Sequence, residues 1–215
     1  MSARSKYEQE LNAMFEKLIR MGRNAELAIE QSVTALKTRD KALAHSVMAE
    51  DYQIDAQERE IEQDCLRILL LEHPVAGDFR EVSSALKMIT DLERIGDQAA
   101  DIAELTLQFG DEAFLKEPQH IEQMAKIVIG MLKDGVQSYI NRDVAVARGL
   151  NTRDDRVDAL FLTVRQELVR LIRQNPQNAE QAVLLLMIAK YLERIGDHAV
   201  NVGEWATYAA TGDRT

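Results

Sequence analysis

The sequence has a single cysteine, Cys65, so no disulfide can close within the chain. With no histidine at ligand spacing beside it, Cys65 is not part of a zinc site either. Its neighbours Leu66, Ile68 and Leu69 form a periodic apolar stretch, which marks an inert core thiol. Glycines number only ten and aromatics make up 5%, while Ala, Leu, Glu, Gln and Arg recur, a usage that favours helix over strand. The longest apolar run, Ala182 to Ala189, falls far short of the ~20 residues of a membrane span. Met1 to Tyr7 is polar with no apolar segment behind it, so no signal peptide is expected and the reading is a cytoplasmic protein, not inserted in a membrane. Basic residues are outnumbered, 26 against 36 acidic, and the net charge of -10 repels nucleic-acid backbones. Nucleic acid is not an expected partner.

What is present is a chain of 215 residues, 46% hydrophobic, enough for one sizeable core or two small ones. The three prolines, Pro74, Pro118 and Pro176, each stand between long stretches with helical periodicity. Two further breaks are Thr38-Arg39-Asp40 and Asn141-Arg142-Asp143, where the aspartate can cap the helix that follows. Five breaks predict six helices, over 6–37, 40–71, 76–109, 119–140, 143–173 and 177–208.

The two halves repeat each other. Asp51 and Asp55 answer Asp154 and Asp158 at an offset of 103 residues, which Met21 to Met124 and Arg39-Asp40 to Arg142-Asp143 also keep. Leu92-Glu93-Arg94-Ile95-Gly96-Asp97 recurs letter for letter from Leu192 to Asp197, at an offset of 100. The same three-helix unit therefore occurs twice, as residues 1–113 and 114–215. Short connections favour antiparallel neighbours. The expected fold is all-α, two tandem, pseudo-symmetric antiparallel three-helix bundles.

Chemistry is concentrated on acidic stripes. In the third helix Glu93, Asp97, Asp101 and Glu104 fall within about 80° of one face, and the sixth helix presents Glu193, Asp197, Asn201 and Glu204 there. Like charges one turn apart repel by a few tenths of a kcal/mol per pair, so a metal cluster or a basic partner would favour the arrangement. Asp51 and Asp55, and Asp154 and Asp158, converge on the same patches if the second helix of each unit lies beside the third. Glu58 and Glu62 extend the first patch, where the second copy has Phe161 and Arg165. Oxygen-only ligation suits Mg, Ca, Mn or ferric iron. His45, His73 and His120 stand away from the stripes as surface or capping residues, and His198, next to Asp197, points about 100° off the arc, where it would touch a metal or support one of its ligands only from the side. The plainer alternative is a solvated face balanced by Arg94, Arg194, Lys87 or Lys190. Against it stand Gly96 and Gly196, each costing about 1 kcal/mol inside a helix relative to Ala, which implies close packing of a partner helix at the motif.

Two copies of Leu-Glu-Arg-Ile-Gly-Asp, each in the last helix of a three-helix repeat and each with an upstream Asp-x-x-x-Asp, resemble the PhoU family of phosphate-transport accessory proteins. The resemblance covers nearly the whole chain, including Met21-Gly22, Cys65-Leu66-Arg67-Ile68 and His73-Pro74. It implies a cytoplasmic regulator that is not an enzyme and that binds multinuclear iron or zinc clusters on its surface. It further implies coupling of a phosphate ABC transporter, through its ATPase subunit, to a sensor histidine kinase, with repression of phosphate uptake and of the phosphate-starvation (Pho regulon) response. The family's metal motifs fall on Glu93, Asp97 and Asp101 and on Glu193 and Asp197, with Asp51, Asp55, Asp154 and Asp158 from the preceding helices. Asn201 replaces the acidic residue that Asp101 supplies, so the two sites are expected to be unequal. Paired bundles with apolar seams also suggest a homodimer.

Two alternatives compete with this reading. A carboxylate-bridged di-iron oxidase needs Glu-x-x-His on two helices, and the one such spacing, Glu117 to His120, spans Pro118 and has no second copy. A metal-free helical adaptor would dock basic partners through the same stripes.

Overall fold

The computed structural model describes residues 3–110, 114–115 and 118–214. Six long helices account for nearly all of them: α1 Ala3–Thr38, α2 Lys41–Glu72, α3 Gly77–Leu107, α4 Gln119–Asn141, α5 Val144–Gln174 and α6 Ala179–Thr211, with a single 3₁₀ turn at Pro176–Asn178 before α6. Every end lies within three residues of its sequence expectation. The largest departures are at the outer ends of α1 and α6. At the start of α6, Asn175 accepts a hydrogen bond from Gln177 N at 3.1 Å and holds Pro176–Asn178 in the tighter turn.

The capping aspartates act as their sequence positions suggest. Asp40 accepts from Leu43 N at 2.9 Å and Asp143 from Val146 N at 3.1 Å. The residue before each, Arg39 or Arg142, takes the left-handed conformation at φ 57° or 56°. That conformation is uncommon for a residue with a side chain, and at Arg142 the cost is offset by a pair of hydrogen bonds to Glu81, at 2.6 and 3.0 Å.

Helices α1, α2 and α3 pack mutually, as α6 does with α4 and α5 and α4 with α5. The two bundles then meet through α3 against α6, with α1 against α4 beside them. The 113/114 boundary between the two repeats falls in the α3–α4 connection, where residues 111–113 and 116–117 lie outside the described ones. The apolar residues of both repeats form one contiguous cluster, from Met14, Leu18 and Met21 through Met88 and Leu92 to Met124, Ile188 and Leu192. A small satellite of Ala35, Ala44, Val47 and Ala103 sits beside it. Cys65 is wholly buried in the main core, 3.3 Å from the Met14 sulfur, and burial pushes its thiol up to about 12, so it is an inert core residue. No described helix is long and apolar enough to cross a membrane.

Polar ties also cross between repeats. Tyr139 donates its hydroxyl to the Glu81 carbonyl oxygen at 2.6 Å, beneath the Arg142–Glu81 pair. Glu81 is only 5% exposed, so removing Arg142 would strand a buried charge.

Candidate metal centre

Helical periodicity places Asp51 and Asp55 one turn apart on α2, and packing of α2 against α3 brings them to the Glu93–Asp97 turn. The approach is close because Gly96 has no side chain. A Cβ there would lie 2.8 Å from Ile54 Cδ1 and 3.2 Å from an Asp51 carboxylate oxygen. Asp51, Asp55 and Asp97 can each place one carboxylate oxygen within 4.8 Å of the other two. Burial, with the negative charges of Asp97, Asp55 and Asp101, pushes the Asp51 carboxyl up to about 6. Glu93 and Asp101 are raised too, each chiefly by burial, and Asp97 adds to both.

The second repeat rebuilds the arrangement from α5 and α6. Gly196 gives way to Asp154, whose carboxylate oxygen lies 2.5 Å from where a Cβ would stand. That oxygen is buried with no hydrogen-bond partner. Burial, then Asp197, Asp158 and Glu193, push the Asp154 carboxyl up to about 6, and Asp158 and Asp197 are raised in the same direction by burial and by Glu193. Among the described residues, only the first patch contains a trio of carboxylates within 4.8 Å.

Cations reach both patches from their own helices. Arg94 lies 3.0 Å from Asp97 and 3.4 Å from Glu93, Arg59 lies 3.8 Å from Asp55, and the Lys190 ammonium contacts Glu193. These exposed or half-exposed contacts leave Asp51 and Asp154 with raised proton affinity, so the innermost aspartate of each patch is short of positive charge. The buried Asp154 oxygen without a hydrogen-bond partner, and the clustered carboxylates of both patches, suit a cation held by oxygen ligands. Asp51, Asp55 and Asp97 therefore fit a hard metal ion, with Glu93 and Asp101 among their charged neighbours, and Asp154, Asp158, Glu193 and Asp197 form the corresponding set in the second repeat.

Asn201 is engaged elsewhere. Its amide donates to Asp91 Oδ1 at 3.0 Å across the α3–α6 seam, and His198 Nδ1 is 2.8 Å from the same oxygen. Asp91 was not legible as a functional residue, since the signal is a pairing between segments more than 100 residues apart. Asp64 has one partner on its own helix and one 47 residues earlier in the chain. It is buried and held by Lys17 at 2.5 Å and Arg67 at 2.8 Å. His73 terminates α2 in a left-handed conformation, His120 lies 3.1 Å from Glu167, and His45 is exposed, all three off the patches.

A family model described as the PhoU domain matches the chain twice, over residues 18–106 and 121–206. The chain belongs to the PhoU family. Each PhoU domain thus carries one acidic patch, and the two domains share one core. The chain is 34% identical over 207 residues to a protein of Clostridium acetobutylicum named phosphate-specific transport system accessory protein PhoU homolog, covering 96% of this chain and 94% of that one. Proteins of the same name from Aquifex aeolicus and Caulobacter vibrioides are 36% and 35% identical, over 95% and 96% of this chain and 93% and 90% of theirs. Among solved structures, PhoU from Pseudomonas aeruginosa superposes with a TM-score of 0.91 at 31% identity, covering 96% of this chain and 99% of that one. The phosphate transport system regulatory protein PhoU from Streptococcus pneumoniae gives 0.91 at 26% identity, over 97% and 99%. These confirm the all-α fold of six helices.

Proposed function

We propose that this chain is an accessory protein of a phosphate transport system that acts as a metal-binding negative regulator of phosphate uptake and of the phosphate-starvation response. The relatives' names support the phosphate system. The observation that carries the metal reading is the repeated seating of an aspartate on a helix-interior glycine, Asp51 on Gly96 and Asp154 on Gly196, each beside further carboxylates. A bound metal, iron or zinc clusters in the first instance, with Mn, Mg or Ca as the other candidates for an oxygen-ligand set, would supply the positive charge each patch lacks. The chain's own residues do the rest. α2 and α5 bring the paired aspartates, α3 and α6 bring the Glu-x-x-x-Asp turn, and the glycines let the helices approach. Asn201 gives its amide nitrogen to Asp91, so its carbonyl oxygen is the atom left to join the second set.

In this reading the protein is not a catalyst. It works in the cytoplasm as a coupler, with the ATPase subunit of the phosphate ABC transporter and a sensor histidine kinase as partners, and it forms a homodimer. Deletion in the native host tests the role: the expected result is raised phosphate uptake and starvation-gene expression at high phosphate, and normal repression in the deletion strain would overturn it. Pull-down from host membranes and cytoplasm, with metals measured on the same sample, tests partners and metal together.

The second reading is a metal-free adaptor, in which Arg94 and Lys190 balance part of the negative charge and the remaining carboxylates dock basic partners. Protein that binds no iron, zinc or manganese at neutral pH would decide for it.

A further inference from the structure

Beside the first acidic patch, α1, α2 and α3 leave a recess of about 130 Å³, well above the ~15 Å³ that one water needs. Asn24, Leu27 and Gln31 line it from α1, and Glu50 and Asp51 from α2, with no basic side chain among its walls. The repeat shows what the fold places at the corresponding position in the other half. At the offset of 103, Asn24 answers Ile127, Leu27 answers Gly130, Gln31 answers Asp134 and Glu50 answers Arg153. There the Arg153 guanidinium lies on Gly130, in the space a Cβ would take, donating to Asp134 at 2.5 Å and to the Ile127 carbonyl oxygen at 3.4 Å. The second repeat thus fills this space with its own arginine.

In the first repeat the arginine is replaced by a carboxylate and the glycine by leucine. Leu27 takes the place over Gly130 where that guanidinium lies, but a recess remains beside it, Leu27 is 46% exposed at its edge, and the wall carries carboxylates in place of the guanidinium. We propose that this recess receives an arginine side chain from a partner protein. Glu50, steadied by Ser46 at 2.8 Å, stands at its edge as a carboxylate acceptor. Gln31 occupies the place of the Asp134 acceptor. Asn24 turns its amide nitrogen onto Gln57 at 3.0 Å, which leaves its carbonyl oxygen to accept. The apolar walls, Leu27 among them, suit the flat, weakly hydrated face of a guanidinium better than a compact, strongly hydrated ammonium. A carboxylate with a guanidinium also forms the stronger class of hydrogen bond. The open recess is not a requirement of the fold, because the homologous unit closes it.

The test uses the ¹⁵N-labelled full chain titrated with N-acetylarginine amide, with N-acetylcitrulline amide as the uncharged isostere. Saturable shifts are expected at the amides of Leu27, Gln31 and Glu50 with arginine, and about tenfold weaker binding with citrulline, the loss of one charge-assisted contact. Leu27→Gly with Gln31→Asp and Glu50→Arg copies the second repeat, fills the recess from within and should abolish the shifts. Should that variant misfold, Glu50→Gln alone should weaken arginine binding about tenfold with unchanged helicity. Equal binding of arginine and citrulline, or no saturable shift with arginine, or binding indifferent to Glu50, overturns the proposal. None of the substituted residues belongs to the metal sets, so metal content measured on the same samples reports on that reading separately.

Discussion

Asn201 and Asp91 form a hydrogen bond of 3.0 Å across the seam between α6 and α3, and at the pseudo-symmetric position Asp101 accepts from the Tyr191 hydroxyl. The two repeats are therefore sewn together by pairs that cross in both senses, 201 to 91 and 101 to 191. Asp91→Ala strands the Asn201 amide and the His198 ring nitrogen in a half-buried seam, and should cost about 1–3 kcal/mol. A urea midpoint that falls with unchanged slope checks it. Asp91→Asn keeps one acceptor and should recover part of the loss.

The pH dependence of the metal-free chain follows from Asp51 and Asp154. Their carboxyls sit at about 6 in the folded protein against an ordinary value of 3.8, so the native state binds these protons more tightly than the unfolded chain. Their contribution to stability is complete below the ordinary value and is lost as pH rises through about 6. Urea midpoints should show this fall, and Asp51→Asn with Asp154→Asn should flatten it and raise the midpoint at pH 7. A wild-type contribution that rises over this window, seen as a steeper loss in the double variant, would contradict the assignment.

Replacing Asp97 and Asp197 together with Ala should remove most bound metal while far-ultraviolet circular dichroism stays unchanged, since Asp97 is half-buried, Asp197 is exposed, and neither caps a helix. Elemental analysis of purified protein after exposure to iron, zinc and manganese provides the measurement. Unaltered stoichiometry would remove these residues from the site.

Gly196→Ala gains about 1 kcal/mol of helix propensity but sets a methyl group 2.5 Å from the Asp154 oxygen. The carboxylate must move, so metal occupancy of the second patch should drop while thermal stability changes by less than about 2 kcal/mol. At Gly96 the nearest atom is the flexible tip of Ile54, and the effect on the first patch should be smaller.

Much of this architecture was written locally. Asp40 and Asp143, the three prolines and the 3.6-residue period set the helix ends, and the repeated Leu-Glu-Arg-Ile-Gly-Asp pointed to both patches. The close contact implied by the buried glycines is also found, as the seating of Asp51 and Asp154. What escaped was pairing between distant segments. Nothing around Asp91, Asp64 or Glu81 distinguishes them from surface acids, because their partners, His198, Lys17 and Arg142, lie 47 to 107 residues away and leave no period in the chain. The Arg153 guanidinium in the α4–α5 groove is a further case, visible only once the helices are packed.

The single core running through both repeats carries a consequence for descent. Each PhoU domain leaves one face of its third helix bare, and in this chain the other domain's third helix covers it. A polypeptide of half the length could close that face by pairing with a second copy of itself, so the molecule has the form of an ancestral symmetric pair fused end to end. With both copies on one chain, no symmetry operation obliges them to match, and they differ at Asn201 against Asp101 and at Glu50 against Arg153.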